Sequence, residues 1–195
     1  MVRSLVDVCW VMQMIVARFL MACVGGAAFL FSPIAATHAA DTKFIRLIAP
    51  LDEPRGLCLD IPGHRDRVDV KRPLVLYRCK RGIWNLDERF DYAAFRAGRL
   101  LIPEYGLCVR PAQGVDGGKV MLGACDDAAA SLRFEGARLQ PAAHPRLCLS
   151  AGPGPSELTP GGRRLPSRHV ARGLFLAPCE KGLDERQKWR LSDSE

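Results

Sequence analysis

The chain has 195 residues, of which 48% are hydrophobic and 25% are charged, and its formal net charge is +7. This composition excludes a disordered chain and a polytopic membrane protein, and the length allows one ordinary domain with or without a leader. The positive charge is compatible with an acidic partner. Eight cysteines are more than a cytosolic chain usually carries, and their even number points to disulfides in an oxidising compartment.

The first 40 residues have the features of an export signal. Arg18 is followed by a run without charge, from Phe19 to Ala40, that ends in small residues before Asp41. A basic residue, an apolar run and a small-residue end are the parts of a secretory signal peptide, so residues 1–40 are predicted to be one. The protein is then secreted or periplasmic. Two alternatives remain open, an uncleaved membrane anchor and a lipoprotein processed at Cys23.

After residue 43 the chain consists of short strand-like segments separated by glycine- and proline-rich turns. Examples are Phe44–Ile48, Leu57–Ile61, Leu74–Cys79 and Arg99–Ile102. No segment keeps a convincing 3.6-residue apolar period, whereas short strands at regular spacing are typical of all-β sandwiches and barrels.

Three short sequence motifs recur in the same order three times. The first contains Leu-Cys at Cys58, Cys108 and Cys148, the second ends at Cys79, Cys125 and Cys179, and the third closes on Phe90, Phe134 and Trp189. Such a repeat indicates three similar structural units. Their predicted extents are about residues 43–95, 96–138 and 139–192, within one domain that spans residues 41–195.

The repeat also selects a disulfide pairing from the fifteen that six cysteines allow. The two cysteines of a unit lie in neighbouring strand-like segments, so the predicted pairs are Cys58–Cys79, Cys108–Cys125 and Cys148–Cys179. Each is expected to stabilise the fold by about 3–4 kcal/mol. Because no Cys-x-x-Cys pair is present, no metal site or redox site is expected, and no cofactor is predicted.

Together these motifs resemble those of the ricin B-type lectin domain, a β-trefoil in which each unit ends with a Gln-x-Trp motif. Gln187-Lys188-Trp189 matches the motif in full, and the other two units keep only the aromatic residue. The resemblance covers about residues 43–192. It implies an all-β β-trefoil of three pseudo-symmetric four-stranded units, each with one internal disulfide. The core is expected to combine Leu57, Leu107 and Leu147 with Phe90, Phe134 and Trp189.

The resemblance also implies where a sugar would bind. In that family a unit's site uses an Asp two residues after the first Cys and an aromatic ring two residues before the second. Only the first unit has both, as Asp60 and Tyr77. Asp87 and Glu88 stand at the positions of the family's Asn and Gln, and Trp84 is predicted to supply a second stacking face. In the other units the acid and ring positions hold Arg110 and Gly123, and Ser150 and Ala177.

The third unit contains an insertion, residues 152–173, that is rich in glycine, proline and arginine. Its basic residues are Arg163, Arg164, Arg168, His169 and Arg172. We expect an exposed loop without regular structure. It is either a basic patch for an anionic glycan, lipid or nucleic acid, or a solvated, protease-sensitive loop. No aromatic residue alternates with the arginines, so nucleic-acid binding is not expected.

The sequence favours binding over catalysis. His64-Arg65-Asp66 matches a kinase triplet, but the sequence lacks the other kinase motifs. It also lacks a P-loop, a G-x-S-x-G motif and an H-E-x-x-H motif, which mark other enzyme classes. The predicted function is non-catalytic binding of a glycan or glycoprotein through the first unit. Two alternatives stay open. One is a docking subunit of a bacterial toxin complex with a catalytic toxin subunit as partner, as in cytolethal distending toxin. The other is a trefoil protease inhibitor that presents the insertion.

Overall fold

The structure, a computed structural model, describes residues 41–80, 82 and 84–193. The signal peptide, anchor and lipoprotein interpretations concern residues outside these ranges. Among the described residues, no helix is both long enough and apolar enough to cross a membrane.

Four strands form each unit, and a thirteenth lies in the third-unit insertion. The first unit contains β1 (Thr42–Leu47), β2 (Leu57–Asp60), β3 (Val75–Arg78) and β4 (Arg89–Asp91). The second contains β5 (Leu101–Ile102), β6 (Leu107–Pro111), β7 (Val120–Gly123) and β8 (Leu132–Glu135). The third contains β9 (Arg138–Pro141), β10 (Leu147–Ala151), β12 (Val170–Pro178) and β13 (Trp189–Ser192), with β11 (Glu157–Leu158) inside the insertion.

Only short helices connect these strands in the described part of the chain. The α-helices are α1 (Tyr92–Arg96), α2 (Pro160–Arg164) and α3 (Asp184–Gln187), and the 3-10 helices are Arg65–Arg67, Leu86–Glu88, Ala128–Ala130 and Lys181–Leu183. Polar side chains fix where two of the α-helices begin. The Asp91 carboxylate accepts the Ala94 N–H at 2.7 Å, and the Thr159 hydroxyl accepts the Gly162 N–H at 3.0 Å.

The central hairpins of the three units share one register. Cys58 pairs with Tyr77 in β2–β3, Cys108 with Gly123 in β6–β7, and Cys148 with Ala177 in β10–β12. In each unit the first cysteine therefore stands opposite the residue two positions before the second. This equivalence is the pseudo-threefold symmetry that the repeat predicts, and the fold is a β-trefoil.

The three disulfides are the predicted pairs. Cys58–Cys79, Cys108–Cys125 and Cys148–Cys179 have Cα–Cα distances of 4.9, 4.9 and 5.1 Å. Each bridge ties a unit's central hairpin at its end, so the fold has one disulfide per unit.

The strands close round one apolar core, and two of the three predicted aromatic residues belong to it. Phe90 and Trp189 are each 1% exposed, and the Trp189 indole Nε1–H donates to the Leu149 carbonyl at 3.2 Å. The prediction for Phe134 was wrong, because this ring is 41% exposed. Phe134 pairs with Leu139 in the β8–β9 hairpin, and there Leu139 and Leu132 fill the core.

The insertion forms regular structure, which the sequence interpretation did not expect. It contains β11, α2 and the first residues of β12, and β12 pairs with β3 of the first unit through Ala171 and Tyr77. The Arg55 and Arg78 side chains each donate to the Ser167 carbonyl at 2.7 Å. Contacts to a different unit thus order a segment whose own composition favours a loop.

Candidate functional site

Three of the predicted site residues, Asp60, Asp87 and Glu88, surround one lysine in the interior. The Lys80 side chain is 9% exposed, and its Nζ lies 2.9 Å from Asp60 Oδ2 and 2.5 Å from Asp87 Oδ2. Its backbone N–H donates to Glu88 Oε2 at 2.9 Å. These four residues are called the acid cluster below.

Local structure explains how the acid cluster assembles. Asp60 ends β2 and Lys80 follows β3, its antiparallel partner, while Asp87 and Glu88 belong to the 3-10 helix Leu86–Glu88. The helix is fixed by the Glu88 N–H, which donates to the Asn85 carbonyl at 3.1 Å. The end of β2 and the 3-10 helix Leu86–Glu88 therefore meet round Lys80.

The acid cluster binds protons more tightly than isolated carboxylates would. Burial raises the pKa of Asp60 to about 7; Lys80 opposes this shift and Asp87 adds to it. Burial and the Asp60 charge raise the pKa of Glu88 well above its usual range. The three carboxylates outweigh the effect of burial on Lys80 and raise its pKa. One ammonium group cannot neutralise three buried carboxylates, so the cluster holds protons near neutral pH.

Several oxygens of the acid cluster have no hydrogen-bond partner among the described residues. They are Asp60 Oδ1, Asp87 Oδ1 and Glu88 Oε1. Asp60 Oδ2 forms an ion pair with Lys80 Nζ. Buried oxygens of this kind are costly unless a proton, a water or a ligand satisfies them.

Tyr77 lies beside the acid cluster, but the insertion covers its hydroxyl end. Lys80 Nζ is 5.4 Å from the centroid of its ring. The Tyr77 hydroxyl donates to Thr159 Oγ1 at 3.0 Å, and the His169 ring lies 6.0 Å from the Tyr77 ring. Asp60 has no exposed surface at all. The expected arrangement, with Asp60 and Tyr77 facing a sugar directly, therefore differs from the observed one, because Lys80 and the insertion occupy that space.

Trp84 and Asp87 line an open cavity of about 350 Å³ on the outer side of the acid cluster. This cavity is called the Trp84 pocket. The Trp84 side chain is 48% exposed, whereas Asp87 is 4% exposed and connects the pocket to Lys80. The full lining is Arg65, Asp66, Val68, Trp84, Leu86, Asp87, Glu104 and Tyr105.

The turn before Arg65 places its guanidinium over the Trp84 ring, 4.2 Å from the centroid. Arg65 has a left-handed φ of 55°, an unfavourable conformation for a side chain other than glycine. Gly63 has a φ of 128°, and a Cβ there would collide with the backbone of Arg67 and Val68. Strained backbone of this kind is common at binding sites.

The second unit contributes Glu104 and Tyr105 to the pocket, from the turn between β5 and β6. Burial, together with the Asp87 and Glu104 carboxylates, raises the pKa of Tyr105. Its hydroxyl therefore keeps its proton at neutral pH. The sequence interpretation missed these two residues, as well as Lys80, Asp66 and the role of Arg65. Only Lys80 had a local signal, because it is a basic residue one position after Cys79, just beyond the strand that pairs with β2.

The corresponding positions of the other units have no combination of acid and ring. The Arg110 side chain lies over Gly123 and its Nε is 3.6 Å from Asp127. Ser150 and Ala177 are buried. Gln187 is also buried, and its amide donates to the Pro178 carbonyl at 2.8 Å, which is a structural role. Within the described residues no group of His, Cys, Asp and Glu is arranged to hold a metal ion.

Comparison with solved structures identifies similar β-trefoils. An agglutinin from Abrus precatorius matches with a TM-score of 0.56 and 17% identity over 83% of this chain. The match covers 52% of the agglutinin, so the chain spans about half its length. ThreeFoil, a designed threefold-symmetric protein, matches with a TM-score of 0.54 and 12% identity over 77% of this chain and 97% of its own.

The solution structure of the mdaA-1 domain matches with a TM-score of 0.53 and 16% identity over 79% of this chain and 90% of that domain. No protein-family model matches the chain, and no curated protein matches it in sequence. At these identities the similarity establishes the fold, and the class defined here is a disulfide-linked β-trefoil.

Proposed function

We propose that this protein is a non-catalytic carbohydrate-binding protein whose sugar site is the Trp84 pocket. One observation carries the proposal: an exposed tryptophan ring adjoins a carboxylate-lined cavity in which Asp87, 4% exposed, has an oxygen without a partner. An aromatic face covers the apolar C–H face of a pyranose, and carboxylate oxygens accept hydrogen bonds from its hydroxyls.

The residues of the Trp84 pocket divide these tasks. Trp84 stacks on the sugar, and the Glu104 carboxylate accepts hydroxyl hydrogens, with the buried Asp87 Oδ1 as a further acceptor that a sugar hydroxyl must uncover. The protonated Tyr105 hydroxyl offers a donor. Because Arg65 already stacks on one face of Trp84, the sugar uses the opposite face or displaces the guanidinium.

The remaining predicted site residues position the pocket. Lys80 joins Asp60 and Asp87, so Asp60 and Glu88 fix the orientation of Asp87 from inside. Tyr77 holds the insertion against the first unit through Thr159. Buried acids that share one lysine are poorly placed to attack a glycosidic bond, which supports a non-catalytic role.

Membership of the ricin B-type lectins, and export through a signal peptide in residues 1–40, belong to the same proposal. Three disulfides support an oxidising destination, either the periplasm or the exterior. Similarity of fold to an agglutinin supports glycan or glycoprotein partners. Arg163 and Arg164 lie in α2, whereas Arg168 lies in the loop that follows, so the protease-inhibitor alternative rests on Arg168.

A glycan array tests the proposal. Wild-type protein should bind at least one glycan class, and Trp84→Ala should lose at least tenfold in affinity, since one stacking contact contributes about 1.5 kcal/mol. Tyr92→Phe, on α1 and outside the lining of the Trp84 pocket, serves as the aromatic control. Absence of any glycan binding, or equal affinities for wild type and Trp84→Ala, contradicts the proposal.

A further inference from the structure

A second cavity, of about 360 Å³, opens between α1 and the β8–β9 hairpin, away from the residues of the Trp84 pocket. It is called the Phe134 pocket. Its apolar lining includes Phe95, Leu100, Leu132, Phe134 and Leu139, and its charged lining consists of Arg96, Arg99, Arg133 and Glu135. Its volume falls within the range of binding clefts.

Phe134 gives this pocket an exposed aromatic wall. The residues that close the other two units, Phe90 and Trp189, are each 1% exposed, but Phe134 is 41% exposed. Its ring packs edge-to-face on Phe95, with the ring centroids 5.3 Å apart. The apolar surface is thus concentrated at a concave place, which is characteristic of interaction sites.

The arginines round the rings are free to bind an anion. Among the described residues, the side chains of Arg96, Arg99 and Arg133 have neither a hydrogen bond nor an ion pair, although all three line one cavity. Glu135 is the one carboxylate in the lining, so the rim has a net positive charge. Guanidinium groups match carboxylates in geometry and charge.

We infer that the Phe134 pocket binds an acidic peptide segment of a protein partner, with an apolar side chain of that segment packed against the phenylalanine rings. The arginines lie on α1, after α1 and on β8, so they can contact several carboxylates spaced along a chain. Aromatic and arginine side chains are also the residues that dominate protein–protein binding energies. The inference does not depend on sugar binding at the Trp84 pocket.

Fluorescence anisotropy with a defined probe tests the inference. The probe is a fluorescein-labelled heptapeptide with one central tryptophan and three glutamates on each side. Saturable binding to the full chain is expected below about 1 mM. A probe with alanine in place of tryptophan should bind at least tenfold more weakly, since it has no large apolar side chain to bury in the pocket.

Three variants assign the binding to this cavity. Phe134→Ala and Arg133→Glu should each weaken binding at least tenfold while the melting temperature and glycan binding stay unchanged. Arg190→Glu reverses an exposed arginine on β13 and should change the affinity less than twofold. Trp84→Ala should have no effect on the peptide.

Four results would overturn the inference. They are no saturation by the probe, equal losses for Arg133→Glu and Arg190→Glu, loss of peptide binding in Trp84→Ala, and binding of free indole-3-acetate as tight as that of the peptide. Equal losses for the two arginine variants would indicate general charge attraction. Loss of binding in Trp84→Ala would place the peptide in the Trp84 pocket, and tight binding of indole-3-acetate would indicate a site for small organic anions.

Discussion

Lys80 joins the interior of the first unit to its surface, because it contacts the fully buried Asp60 and also Asp87, which lines the Trp84 pocket. A pair of buried ions rarely stabilises a protein over an apolar alternative. In the proposed site, the three acids round one lysine fix the orientation of Asp87. Removal of Lys80 alone would leave uncompensated buried carboxylates.

The acid cluster makes stability depend on pH. The pKa values of Asp60 and Glu88 are raised in the folded protein, so the folded state binds protons more tightly than the unfolded chain. Their contribution to stability is complete below about pH 4 and is lost as the pH rises towards 7. We expect the free energy of unfolding to fall by about 3 kcal/mol or more over this range. Urea denaturation at several pH values measures it.

The Asp60→Asn variant separates the pH dependence due to the acid cluster from the pH dependence due to the histidines. Burial and nearby cations lower the pKa values of His64 and His169, so these groups contribute a change of opposite sign near pH 6. Asp60→Asn should flatten the decline between pH 4 and 7, whereas Asp126→Asn, at an exposed carboxylate, should keep it. An unchanged decline in Asp60→Asn would contradict the assignment.

At the scale of elements, the insertion is held on the first unit by Asp52. Its carboxylate accepts the Ser156 N–H at 2.6 Å and lies 2.6 Å from the Arg172 guanidinium. Burial opposes the effect, but the hydrogen bonds from Ser156 and Arg172 lower the pKa of Asp52 to about 2. The contribution of Asp52 to the free energy of unfolding is therefore present above about pH 4 and lost as the pH falls towards 2.

Asp52→Asn should loosen the insertion. We expect a loss of about 1 kcal/mol at pH 7, which is less than the pKa shift alone implies because the side chain is 38% exposed. Trypsin should then cleave after Arg164 or Arg168 at least threefold faster, as followed by mass spectrometry. Asp126→Asn is the control, and equal cleavage rates in both variants would show that Asp52 does not hold the insertion.

The insertion also shows where sequence interpretation reached its limit. Its glycines and prolines predict a loop, yet pairing of Ala171 with Tyr77 and donation by Arg55 and Arg78 to Ser167 order it. These partners are distant in sequence. The same holds for the site: Trp84 and Asp87 could be predicted from their unit, whereas Glu104 and Tyr105 come from the next one.

At the scale of the whole molecule, the repeat predicted the fold because it fixes both symmetry and disulfides. Equivalent cysteines have equivalent strand partners in all three units. The exception, Phe134, shows that a repeated position does not guarantee a repeated environment, since Leu132 and Leu139 already fill the core there.

Removal of one disulfide should weaken the whole trefoil. Cys148 and Cys179 are 31 residues apart, the longest separation of the three pairs, and the chain-entropy model predicts a loss of about 3–4 kcal/mol for the double alanine variant. Removal of the Cys108–Cys125 disulfide, whose cysteines are 17 residues apart, should cost slightly less stability. Chemical denaturation measures both, and a cost below about 1 kcal/mol would contradict the account.

The most direct test of the central claim follows the indole N–H signals by NMR during titration with the tightest-binding glycan. Trp84 is exposed, whereas Trp189 is 1% exposed and bonded to the Leu149 carbonyl, so Trp189 is an internal reference. Trp84→Phe assigns the signals. The Trp84 signal should shift saturably with sugar while the Trp189 signal stays in place. Saturable glycan binding with an unmoved Trp84 signal would contradict the proposed site.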